Sequence, residues 1–217
     1  MTKNISHLAE VHSDAKIAPD VMIGPFCRVG PNVSLGAGTI LDNNVSISGH
    51  TTMGKGNRCF PGVVIGAEPQ DVSYQGSPTE VRIGDANVFR ECVTVNRGTE
   101  KEDGVTSIGN GSYFMACSHI AHDCKVGDHV HTANNVLLGG HVHVGDFVNL
   151  SGSVAVHHFS TIGSYAFVGG LSRVVQDIPP YLIAEGSPAR PRAINIVALK
   201  RNGFHQDEID ALRKAYK

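Results

Sequence analysis

An apolar residue falls at every sixth position over most of this chain, and few folds accept that period. Stepping by six from Ile5 meets Val11, Ile17, Ile23, Val29, Leu35, Leu41, Ile47, Met53, Cys59 and Ile65 without a miss. A helix repeats every 3.6 residues, so the rhythm excludes a long amphipathic helix. The residue after each aliphatic is often small or turn-prone (Ala18, Gly24, Gly30, Gly36, Asp42, Gly54), and four places on sits Val21, Cys27, Val33, Val45 or Val63. Short strands joined by tight turns fit this pattern.

The rhythm is interrupted twice. It survives 67–81 in phase, resuming at Ile83, Phe89 and Val95, and breaks across 97–107 before running from Ile108 through Ile120, Leu138 and Val156 to Val174. Two excursions thus leave a regular solenoid, whose inward aliphatics form the core and whose coils cover one another's strand edges. Prolines in Asp177-Ile-Pro-Pro180 and Gly186-Ser-Pro-Ala-Arg190 then end the ladder. Helical spacing follows at Ile194, Val197 and Ala198, then at Ile209, Leu212 and Tyr216, with Asn202-Gly203 between. The expected organisation is a solenoid over 1–190, with excursions near 67–81 and 97–107, and a short helical segment over 191–217.

Hexads of this regularity resemble the hexapeptide-repeat family, which implies an all-β, left-handed parallel β-helix with three hexads per triangular coil. Composition agrees with one main domain: 217 residues, 41% hydrophobic and 18% charged. A net charge of -2 argues against nucleic acid or an anionic membrane surface as partner. No eighteen apolar residues run together and the first residues lack an apolar stretch, so neither membrane insertion nor a signal peptide is expected. Five cysteines without a CxxC pair read as free thiols in a reducing, cytoplasmic setting.

With an 18-residue coil, positions 18 apart stack at about 4.8 Å. His122 then shares a column with Gly140 and His158; Asp123 with His141 and Phe159; Ala121 with Gly139 and His157. Imidazoles around two glycines, beside an acid, have no evident structural purpose. His129, His131 and His143 project from other faces and read as surface residues. Two chemistries suit the cluster. Neutral histidines could hold zinc, as in the gamma-type carbonic anhydrases that share this fold. Alternatively one imidazole is a general base whose tautomer the carboxylate fixes.

Longer segments carry a closer resemblance: Val93-Thr-Val-Asn-Arg-Gly-Thr99, His119-Ile-Ala-His-Asp-Cys124, Gly140-His141, Val156-His157, Gln176-Asp-Ile-Pro-Pro-Tyr181 and Leu199-Lys-Arg-Asn-Gly-Phe204. In this order and spacing the chain is similar to the UDP-N-acetylglucosamine O-acyltransferases that begin lipid A synthesis. The resemblance implies a cytoplasmic homotrimer with sites between subunits. It moves a β-hydroxyacyl group from acyl carrier protein to the sugar 3-hydroxyl, without a metal, a cofactor or a covalent acyl-enzyme. It implies His122 as base, Asp123 as its partner and the Gly140 N–H as oxyanion donor. His119, His141, His157 and His158 would line the groove, and Gln70 and Asp71 would reach it across a subunit boundary. Asn195 and Arg201 would hold the nucleotide, and Gly170 would set acyl-chain length. Arg90, Arg97, Lys125, Arg173 and the basic tail would meet the acidic carrier protein, and Cys124 would only pack.

Departures from the family lie at the nucleotide end. Ser73 stands where a lysine is usual and His158 where a glutamine is, while Val197 and Asn202 replace an acid and an arginine. The family's chains also continue with further helices beyond this point. A paralogue acylating another nucleotide sugar, on oxygen or nitrogen, is therefore the alternative, together with a carbonic anhydrase-like metal trimer.

Overall fold

The computed structural model describes residues 4–216. Among these residues the hexads form two- to four-residue strands, which with two longer strands of a closing hairpin make three sheets of nine, eight and ten, one sheet per side of a triangular prism. The architecture is the left-handed parallel β-helix. Through the coils each strand pairs in parallel with the one three further along, until the closing hairpin, and the register confirms the coil length: Glu10 lies opposite Arg28, and Ile120 opposite Leu138. Inward positions are sealed, with Ile120, Leu138 and Val156 stacked in one ladder at 0%, 1% and 4% exposure.

The two excursions differ in length, and that difference explains the phase. Val64 pairs with Thr94, thirty residues on, so the first excursion adds twelve residues, two whole hexads. Thr94 pairs with His119, twenty-five residues on, so the second adds seven, one more than a hexad. The inward rhythm accordingly survives the first and slips by one at the second.

At the corners the chain turns through residues of positive φ. From Cys117 this position recurs every sixth residue, through Asp123, His129, Asn135, His141, Phe147, Ser153, Phe159 and Tyr165 to Leu171. Ten successive hexads share this conformation, so the left-handed backbone of Asp123 and His141 is a property of the fold.

The coil closes with an antiparallel hairpin, Leu182–Gly186 against Ala189–Ile194. Its second strand runs across the division expected at residue 190, and helix begins only at Ile196. Helix α1 (Ile196–Arg201) is capped by Asn195, whose side chain accepts from the Ala198 N–H at 3.3 Å. Helix α2 (Gln206–Tyr216) buries Ile209 with Leu182, Ile194 and Leu199, covering the last coil with a small second core.

Leu138→Ala would open a hole between Ile120 and Val156. The urea midpoint should fall by the equivalent of about 3 kcal/mol; an unchanged midpoint would contradict the ladder.

Candidate active site

Three consecutive strands of the nine-stranded sheet, His119–Ile120, Leu137–Leu138 and Ala155–Val156, each run into the same corner. That corner lines a groove of about 740 Å³, bordered by His122, Gly140, His141 and His158. Coil stacking brings these residues together from three hexads that are not adjacent in sequence.

Beneath this lining, beside His122, lies Asp123, fully buried. Its Oδ1 accepts from the Thr99 backbone N–H at 2.9 Å, and its Oδ2 accepts from the Thr99 hydroxyl at 2.7 Å and from His122 Nδ1 at 2.9 Å. Its own N–H donates to Thr106 Oγ1. A carboxylate can only accept, so Nδ1 of His122 carries the proton and Nε2 keeps a lone pair.

Gly140 lies against that ring. A Cβ at this position would come within 2.5 Å of His122 Cε1, so any side chain would displace the imidazole. The Gly140 carbonyl accepts from Phe159, while its N–H has no intramolecular partner among the described residues and can serve a ligand.

His141 stands edge-on to His122 with ring centroids 5.1 Å apart, lies flat on Phe159 at 4.4 Å, and bonds through Nδ1 to Glu102 at 2.8 Å. His119 bonds through Nδ1 to Thr94 Oγ1 at 2.7 Å. Burial, and repulsion from His122 whenever that ring is protonated, move the His119 pKa down and favour its neutral form. Donor atoms of His122, Asp123 and His141 lie within 4.8 Å of one another, close enough to converge on a metal ion. His122 and Asp123 are already hydrogen-bonded to each other at 2.9 Å, and the same carboxylate oxygen accepts from the Thr99 hydroxyl, which suits a positioned base better than a ligand set.

Residues 177–217 match the family model described as UDP N-acetylglucosamine O-acyltransferase, domain 2, and residues 106–140 match that of the bacterial transferase hexapeptide (six repeats). The chain superposes over 98% of its length on LpxA from Acinetobacter baumannii, with a TM-score of 0.97, 43% identity and 83% of that chain covered. The UDP-N-acetylglucosamine acyltransferase of Francisella novicida gives 0.97, 43% and 78%; that of Arabidopsis gives 0.85, 37% and 81%. The chain belongs to the UDP-N-acetylglucosamine O-acyltransferase family.

The other residues singled out by resemblance to that family fall in three places. Gln70 and Asp71 line the groove of their own chain. Within the single chain they stand at that groove without a neighbouring subunit. The second excursion draws the first inward: Lys101 pairs with Asp71, and Glu100 accepts from the N–H groups of Gln75 and Ser77. That lysine holds the Asp71 carboxyl far below the usual carboxylate range, helped by donors from Ser73. His158 borders the groove, whereas His157 is exposed beside it, its ring 3.7 Å from that of His158.

Asn195 and Arg201 lie elsewhere, in a second groove of about 580 Å³ beside the ten-stranded sheet, with Val197 and Asn202. His129 and His131, read as plain surface residues, are exposed but border that groove; His129 stacks on Phe147 at 4.8 Å. Gly170 sits at the corner following the ten-stranded sheet, outside the His122 groove of the same chain. Of the cations assigned to a carrier protein, Arg97 is largely buried and clasps the first excursion through Gly66 O, Tyr74 and Glu68. Lys125 is held by Asp103 and the Val105 carbonyl. Both are committed within the fold.

Thr94, Thr99, Lys101 and Glu102 were not anticipated. The last three lie in the second excursion, to which no column can be assigned; Thr94 sits one coil below His119, but only once the seven residues that excursion adds have been counted.

Two expectations follow. Gly140→Ala should push the His122 ring aside and cut kcat by about a hundredfold, while circular dichroism stays native. Burial raises the Cys124 thiol to about 12 from 9.0, so it stays protonated in the folded protein until strongly alkaline pH. Mass spectrometry after iodoacetamide at pH 8.5 should then find Cys124 unlabelled in native protein and labelled after denaturation, and Cys124→Ala should keep its activity.

Proposed function

We propose that this protein transfers a β-hydroxyacyl group from acyl carrier protein to the 3-hydroxyl of UDP-N-acetylglucosamine, the opening step of lipid A synthesis, as a cytoplasmic homotrimer. The observation that carries the reading is the Thr99–Asp123–His122 chain, which leaves a lone pair on Nε2 at the groove. In this reading Nε2 removes the proton from the sugar hydroxyl as its oxygen attacks the thioester carbon. The tetrahedral oxyanion accepts from the Gly140 N–H. The C–S bond then breaks, and the carrier's thiolate takes the proton from the His122 imidazolium. Cys124 takes no part, because a buried thiol bonded to the Gly139 carbonyl is no nucleophile.

Gln70, Asp71, His119 and His141 hold the sugar and acyl ends. Asn195 and Arg201 serve the nucleotide from a neighbouring subunit, and that subunit's corner brings Gly170 to the acyl chain. A second reading, transfer to another nucleotide sugar or to an amine, draws on the nucleotide end. Val197 is apolar and exposed, and the Asn202 side chain donates to the Ala198 carbonyl of its own helix, so neither offers a charge.

An acyl-transfer assay with UDP-N-acetylglucosamine, its 3-amino analogue and β-hydroxyacyl carrier proteins of several lengths separates the two readings. His122→Ala should lose at least about a hundredfold in kcat; full activity in that variant would remove the base. Gly170→Met should shift preference toward shorter acyl chains, and an unchanged preference would end its role as ruler.

A further inference from the structure

The His141 ring is held by contacts that are unequal in direction. Its stack on Phe159, with the planes 8° apart, fixes the plane of the ring but not which edge carries the nitrogens. Its Nε2 lies 3.7 Å from Asp123 Oδ2, too far for a hydrogen bond. The bond that decides its rotation is Nδ1 to Glu102 at 2.8 Å. The ring is nearly buried, at 4% exposure, and its Nε2 stands less than about 1 Å beyond hydrogen-bond reach of Asp123, so a small shift of the ring would close that gap. There it would compete with His122 for the same carboxylate oxygen.

We propose that Glu102 is a positioning residue. It acts through His141, holding that ring on the second excursion so that Asp123 stays committed to His122. The excursion would then grip the base at two points, with Thr99 on the carboxylate and Glu102 on the imidazole that could displace His122. The catalytic part of this inference rests on the reading of His122 as base; the Glu102–His141 bond does not.

The test is Glu102→Ala beside Glu102→Gln, whose amide oxygen can still accept from Nδ1. Glu102→Ala should lower kcat about tenfold, the size expected for one lost charged hydrogen bond, with KM for UDP-N-acetylglucosamine changed less than about twofold. Glu102→Gln should recover most of the loss. In ¹⁵N-detected spectra of the imidazole rings, the His141 Nδ1–H signal should weaken in the alanine variant and persist in the glutamine variant. A wild-type kcat in Glu102→Ala, a rise in KM alone, or an unchanged His141 signal would overturn the proposal. Absence of transfer by the wild-type protein would instead overturn the acyltransferase substrate assignment, while the ring spectra would still decide the bond.

Discussion

Everything in this molecule depends on a coil closing after 18 residues, so that each strand finds its partner one turn away. The inward aliphatics drive the closure by leaving water, and the parallel ladder satisfies the backbone they carry with them. Because each coil rests on its neighbours, a residue's height and face follow from its position in the count. The corner holding His122, Gly140 and His158 is one column of that count, and Asp123, His141 and Phe159 are the next. A solenoid of this kind is a rigid frame on which side chains can be placed to within a strand spacing.

The frame alone does not make the site. A histidine next to an aspartate at a corner would have its carboxylate half-solvated, and a partly solvated pair is weakly oriented. What buries Asp123 is the second excursion, which adds seven residues beyond the coil and sets Thr99 over it. Being seven rather than six, it moves the following hexads by one position. Folding the loop over the carboxylate has a cost: an ion without partners in that place would be strongly unfavourable, by several kcal/mol. Two donors from Thr99 and one from His122 offset it, and the same three bonds fix the histidine's tautomer.

Legibility in the sequence follows this division. The coil length, the ladder, the stacking of Gly140 over His122 and the grouping of His141 with Asp123 could all be read by counting, because the hexad turns sequence distance into spatial distance. Thr99, Lys101 and Glu102 could not, since a loop outside the count has no assigned face. The same limit governed Gln70 and Asp71: resemblance marked them for the site, but only the Lys101 and Glu100 contacts show that the first excursion reaches the groove of its own chain. Arg97 was misread for a related reason. A lone arginine in a loop looks like a surface charge, and its enclosure by Gly66, Tyr74 and Glu68 depends on where two loops meet.

The two grooves of the single chain divide the chemistry by distance. His122 and its carboxylate partner lie on one corner of the prism, whereas Asn195, Arg201 and Gly170 lie with the ten-stranded sheet or its corner. A rigid solenoid cannot bend to bring one face to another, so residues from both can meet one substrate only if a second copy of the chain places its ten-stranded side against the first copy's His122 corner. Such a head-to-tail contact, repeated by every copy, closes into a ring when its rotation allows. The separation of the grooves is therefore what leads the proposed function to place them on different copies of the chain.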